Sequence, residues 1–347
     1  MQYYAGLDVS MKQTFICVQD QAGKVIQQGH TKTDPDLIFK YLTKVGVPLT
    51  KVAIESSCLS HWLVDELCKI GIPAICIDAR KMAAILSVQV NKTDTNDAKG
   101  IADAVRCNLY RVVAQKSQAS IEISLLMGCR RLLVVQKIQQ TNAIRGFLKR
   151  YGIRLGTVGD ASFAKTVRAH LVDKNALVQE SLESLLTCYE KIYEEVRKLT
   201  KKVEELARQD EDVKRFMTIP GIGAITALAF KVEIDDPYRF KSSRAVGAYL
   251  GMTPTQYSSG ETQRQGAVSK CGSSEMRFLL MEAGTVMLTR SRRWNKVKAW
   301  GLKVLRKKGA RKAAMAVGRK LAVVMHRMWI NKTEFIYGEE PKAKQVA

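Results

Sequence analysis

The chain has 347 residues, 46% of them apolar, with a mean hydropathy of −0.13; it is long enough for two or three packed domains and too apolar for a disordered or fibrous protein. Lys and Arg number 56 against 33 Asp and Glu, a formal net charge of +23, which calls for a polyanionic partner, nucleic acid ahead of an anionic membrane surface. No run reaches the roughly 18 apolar residues that span a bilayer, the first ten residues hold no signal-peptide core, and the eight cysteines form no C-x-x-C pair, so a cytoplasmic protein without a membrane span, disulfide framework or zinc site is expected.

Segments 3–9 (YYAGLDV), 13–19 (QTFICVQ) and 25–30 read as strands, and the turn at 21–24 makes them an antiparallel meander. A helix near 34–45, a buried strand at 51–55 (KVAIE), a helix near 59–70, a strand at 73–77 (PAICI) and a helix from about Thr93 follow. Strands first, then alternation with helices, predict a mixed α/β sheet of the ribonuclease H type. From 118 to 150 and from 174 to 209 the period becomes purely helical. In the second stretch Val178, Leu182, Leu185, Tyr189, Ile192, Val196, Leu199, Val203 and Leu206 recur at steps of four and three, a coiled-coil seam. Such a seam packs within its own chain or pairs with a second copy, and an oligomer is the favoured expectation.

A second globular unit begins near Phe216 and runs into a basic helical tail. Between Ala283 and Thr333 there are 15 Lys or Arg and no acid, and apolar residues such as Trp294, Trp300 and Leu321 still let the stretch fold; phosphate backbones are its expected counterpart. The resulting fold class is α/β plus α. The divisions are 1–113 (the mixed sheet), 114–209 (helical connection), 210–337 (a mainly helical C-terminal domain) and a tail at 338–347.

Four acids stand out. Asp8 lies near the end of the first strand (GLDVS) and Glu55 ends the apolar strand VAIE, which neighbours it in a ribonuclease H-like sheet. Asp94 and Asp97, in NKTDTNDA, are three apart at a helix start and share one face. Four hard oxygen donors in one place repel each other unless a divalent cation binds, and Mg²⁺ held by carboxylates suits a phosphate substrate. Each acid also has a plain reading as a turn, strand-end or cap residue, and Asp78 and Asp103 are nearby decoys. The IPGIG segment looks like the hairpin of a helix-hairpin-helix element, with Gly221 and Gly223 turning backbone N–H groups towards a phosphate, or it is a plain interhelical turn. After GMTP, the stretch Gln256–Gly272 sets Tyr257, Ser258 and Ser259 among Gly260, Arg264 and Lys270. A serine there can attack a phosphodiester while the cations hold the charge, although Ser-Ser-Gly is common in loops.

Taken in order, GLDVS, IESS, NKTDTNDA, IPGIG, GMTP-x-x-Y-x-S-G and a following S-K-C-G resemble the IS110 group of insertion-sequence transposases, relatives of Piv-type DNA invertases, over about Tyr3 to Tyr337. The resemblance implies a RuvC-like DEDD domain, a coiled-coil connection and a C-terminal transposase domain bearing a serine nucleophile. It assigns the acidic set to Asp8, Glu55, Asp94 and Asp97, with Mg²⁺ or Mn²⁺ as cofactor, and the nucleophile to Ser259; the doubled serine leaves Ser258 as a neighbour to be told apart. It further implies a covalent phosphoserine link to donor and target DNA, a noncoding bridge RNA that supplies sequence choice, dimers that pair into tetramers, and association with the nucleoid. Arg264 and Lys270 are candidate phosphate contacts. Two rivals remain: a metal-only nuclease of the Holliday-junction resolvase kind, and a non-catalytic RNA-binding scaffold.

Overall fold

A computed structural model describes residues 1–88 and 91–338, so the tail read at 338–347 lies outside the described residues except for Gly338. The chain forms two compact units, Met1–Lys116 and Ser117–Ala347.

The first unit is a five-stranded sheet. Strands β1 (Tyr3–Val9), β2 (Gln13–Asp20) and β3 (Val25–Lys32) form the antiparallel meander; after helix α1 (Pro35–Lys44), β4 (Leu49–Glu55) joins β1 in parallel. Helix α2 (Ser60–Lys69) then leads to β5 (Ala74–Ile77), parallel to β4, giving the order β3-β2-β1-β4-β5. Helices α3 (Ala79–Leu86) and α4 (Asp94–Arg106) complete the unit. Local chemistry sets their starts. Asp34 caps α1 by accepting from the Leu37 N–H (3.0 Å) with Pro35 at the first position, and Thr93 caps α4 by accepting from the Asn96 N–H (3.2 Å).

Because side chains alternate along a strand, the central strands β1 and β4 bury both faces. Ala5, Leu7, Val52 and Ile54 pack with Ile38, Leu42, Leu63 and Leu67 of α1 and α2, whereas Ala53 packs with Ile101 and Val105 of α4 on the other face. Gly6 faces α4 as well, and a Cβ there would sit 2.3 Å from both Ala98 O and Ala102 N, so only glycine lets the helix lie this close. Asp8 and Glu55 continue the Gly6 and Ala53 rows, on the α4 side of the sheet.

In the second unit the two long helical stretches are α5 (Gln118–Lys149) and α7 (Ala176–Gln209), with the short α6 (Phe163–Ala169) between them. They run antiparallel: Arg130 Nε donates to Thr200 Oγ1 (2.8 Å), while at the far end Ile144 and Leu148 share a core with Phe163, Leu182, Leu186 and Tyr189. The seam read from α7 is thus largely filled by its own chain. The remainder is helical: α8 (Glu211–Met217), α9 (Ala224–Ile234), α10 (Ser243–Tyr249), α11 (Ser274–Thr289), α12 (Lys296–Lys308) and α13 (Ala310–Asn331), around a core that includes Phe216, Phe230, Leu280, Leu321 and Trp329. One two-stranded ribbon, β6 (Pro254–Ser259) and β7 (Thr262–Val268), interrupts them. Neither α3 nor this ribbon is among the elements expected from sequence. No helix among the described residues is long and apolar enough to cross a membrane.

Candidate active site: an acidic cavity and a serine-bearing ribbon

The parallel register Leu7↔Ile54 sets Asp8 beside Glu55 at the carboxyl ends of β1 and β4, and α4, seated on Gly6, adds Asp94 and Asp97 from its first turn. All four carboxylates line one cavity of about 580 Å³, with Lys92 and the side chains of Ser10, Ser56, Ser57 and Ser87. Burial, followed by the negative charges of Asp94 and Asp97, pushes the Asp8 carboxyl up to about 6, and Glu55 is raised by burial, then by Asp8 and Asp97; Lys92 opposes both shifts. Asp97 is only 7% exposed, and its Oδ1 has no hydrogen-bond partner among the described residues. An orphaned buried carboxylate oxygen in a cavity of anions fits a cation ligand.

The fit is one of donor type and placement, not of a closed cage. Among the described residues, no three acids or other ligating side chains stand close enough to hold one ion between them. Gathering the carboxylates around a cation therefore requires side-chain rotation, against the mutual repulsion of like charges. The two decoys have structural work. Asp78 caps α3, accepting from the Arg80 and Lys81 N–H groups (2.9 and 3.1 Å), and Asp103 pairs with Arg106 (3.1 Å).

Ser259 lies at the end of β6, in the second unit. Both ribbon strands are exposed along nearly their whole length, and the turn between them begins at Gly260, whose φ of 51° suits glycine. Cross-strand partners are Tyr257↔Arg264, Ser258↔Gln263 and Ser259↔Thr262. Partners share a face and alternate residues share a face, so Ser259 lies on the side of Tyr257 and Arg264, and Ser258 on the opposite side with Gln263 and Gln256, whose Nε2 donates to Ser258 Oγ (3.1 Å). Arg264, chosen from sequence for its proximity, is therefore on the same ribbon face as Ser259.

Two motifs clasp the base of the ribbon. A Cβ on Gly251 (φ 65°) would lie 2.4 Å from Cys271 N, and one on Gly272 would lie 2.4 Å from Tyr249 O. GMTP and S-K-C-G are thus pressed backbone to backbone, with Lys270 N donating to Gly251 O (3.0 Å) and Ser269 N to Thr253 O (2.8 Å). Lys270 itself is exposed with φ 55°. The IPGIG turn joins α8 to α9. Gly221 (φ 89°) is packed against α11, where a Cβ would meet Ala283 O at 2.8 Å, whereas Gly223 is exposed at the start of α9. Gly221 thus has a packing reason of its own. Sequence reasoning assigned no role to Gly6, Gly251, Gly272 or Lys92; the glycines sit inside quoted or strand segments, but the need for them arises only when two backbones meet.

These parts coincide with known families. Residues 5–153 match a model for DEDD transposases of the IS110 type, and residues 213–299 match the model described as the transposase IS116/IS110/IS902 family. The transposase for insertion sequence element IS1111A of Coxiella burnetii is 26% identical over 92% of this chain and 87% of its own length. A putative transposase of Sinorhizobium fredii is 29% identical over 79% and 71%, and the transposase for insertion sequence element IS1328 of Yersinia enterocolitica is 28% identical over 69% and 71%. With one model covering the acidic unit and running on through α5, the other spanning the ribbon, and relatives aligned along most of the chain, this protein carries the transposase domains of the IS110/IS116/IS902 family.

Proposed function

We propose that this transposase cuts and rejoins DNA through a covalent phosphoserine at Ser259, assisted by the acids Asp8, Glu55, Asp94 and Asp97. The reading rests above all on Ser259 standing at the tip of an exposed ribbon, where its hydroxyl can be presented to a substrate. In the reaction Ser259 Oγ bonds to phosphorus and loses its proton, while the P–O bond to the DNA breaks and the departing oxygen takes up a proton. The phosphodiester energy is kept, so a hydroxyl from another strand can displace the serine without ATP. Arg264 faces the phosphate from the serine's side of the ribbon, Lys270 adds charge at its base, and the N–H groups around Gly221 and Gly223 offer a further backbone contact. The four carboxylates are hard donors suited to Mg²⁺ or Mn²⁺, which when bound there would polarise a phosphate oxygen.

Donor and target DNA are the substrates, and a bridge RNA supplies sequence choice while the protein holds backbones. The cations of α12 and α13, which form no ion pair with an acid among the described residues, and the +23 charge support that division. The α5–α7 hairpin serves as the oligomerisation arm of dimers that pair into tetramers; Leu132 (58% exposed), Val135 and Ile138 on α5 leave an apolar strip for a second copy. The functional division remains that of an acidic domain (1–113), a helical arm (114–209) and a serine domain (210–337).

The test is a trapping experiment. Wild-type protein incubated with element-end DNA and Mg²⁺ should yield a protein–DNA adduct that survives denaturation. Ser259→Ala and Asp97→Asn should each yield none. Cleaved DNA with no adduct would replace this reading with water-dependent hydrolysis of the resolvase kind.

A further inference from the structure

Lys92 is the sole cation among the described residues that line the acidic cavity. Its two chain neighbours are both tied to Asn96: the Asn91 carbonyl accepts from Asn96 Nδ2 (3.0 Å), and the Thr93 hydroxyl accepts from the Asn96 N–H (3.2 Å). The stem therefore starts from a fixed point at the head of α4, two residues before Asp94. The side chain is exposed and forms no ion pair with any of the acids, yet its charge is felt by both Asp8 and Glu55. An exposed salt bridge to one of the carboxylates would be worth little, and the Lys92 ammonium makes none, so it can turn to an anion that enters the cavity.

The chemistry of the cavity says what that is. A phosphodiester brought to the carboxylates carries one negative charge, and Lys92 is the lining residue whose ammonium can answer it. In the transition state of phosphoryl transfer negative charge gathers on the non-bridging oxygens, and a compact ammonium on a flexible stem can follow it. We propose that Lys92 is a further catalytic residue, contacting a non-bridging oxygen of the scissile phosphate in the acidic cavity. The assignment rests on the metal-dependent reading of that cavity.

The consequence is a pair of effects of opposite sign. In Lys92→Ala, removing a cation from beside the acids should tighten Mn²⁺ binding by roughly three- to tenfold, read by titration calorimetry on the protein without DNA. At saturating Mn²⁺ the same variant should form the Ser259 adduct about a hundredfold more slowly. Lys92→Arg keeps the charge and should keep wild-type Mn²⁺ affinity and more of the rate than alanine does. Unchanged adduct formation in Lys92→Ala, or losses of Mn²⁺ affinity and melting temperature together, would overturn the role; the second result would make Lys92 a structural prop. If the wild type itself takes up no Mn²⁺, the metal reading beneath fails, and Lys92 with it, whereas normal Mn²⁺ uptake with an indifferent Lys92 leaves that reading standing.

Discussion

The pleat of one strand sets the two serines on opposite faces of the ribbon. Ser258 and Ser259 differ by a single position, yet alternation puts Arg264 and Tyr257 on the Ser259 side and gives Ser258 a hydrogen bond from Gln256. Ser258→Ala should keep adduct formation within about threefold of wild type, a loss on the scale of one surface hydrogen bond, while Ser259→Ala removes it; equal loss in both would move the nucleophile or make the tip's shape the sensitive quantity. Asp8 allows a second prediction. Its carboxyl holds a proton to about pH 6 in the folded chain and only to about 3.8 in the unfolded one, so the folded state binds more protons in that window. Stability then falls as pH rises from about 4 to 6, and the penalty is complete above it. In chelator at pH 7.5, Asp8→Asn should be more stable than wild type by about 1–2 kcal/mol, with the gap closing towards pH 4. Denaturant melts at the two pH values check this; a less stable variant at pH 7.5 would contradict the repulsion argument. Function and stability pull apart here because the same crowding of anions that a cation needs is a cost without one.

Among the elements, α4 is the one on which the acidic cavity depends. It carries two of the four acids and lies on the sheet through Gly6, where a methyl group would meet backbone atoms that cannot swing aside. Gly6→Ala should therefore cost about 2–3 kcal/mol, read by denaturant unfolding. It should also weaken Mn²⁺ binding, because α4 must lift away from Asp8 and Glu55. Wild-type stability would show that the helix has slack. The strand and helix elements of the first unit were legible because their apolar residues repeat at two or at 3.6 and their caps are written in Asp34, Thr93 and Pro35. The α5 and α7 helices were legible for the same reason. The ribbon was not: β6 and β7 have no buried face, so there is no alternation of apolar and polar residues to read. Nor was α3, whose eight residues bury only Met82.

For the whole molecule the dominant quantity is charge. The exposed Arg306, Lys307, Lys308, Arg311 and Lys312 flank Gly309, where α12 turns into α13, and their apolar neighbours Val304 and Leu305 pack inward against the core. Binding to duplex DNA should fall steeply with salt, with a log–log slope of about −5 or steeper, and alanine at those five positions should flatten it by several units. A slope near zero would remove the electrostatic basis of the nucleic-acid reading. Sequence alone determined the strand and helix order of the acidic unit, the helical arm, the excess of cations and the identity of the motifs, since each is set by local periodicity, composition or residue type. Tertiary structure alone decided that α7 fills its seam with α5, that Gly251 and Gly272 press together beneath the ribbon, that Ser259 rather than Ser258 shares a face with Arg264, and that Lys92 joins the four acids. Those are meetings of residues far apart in the chain, or choices of side on a pleated strand, and they follow from close packing and cross-strand register, which no local pattern of residues encodes.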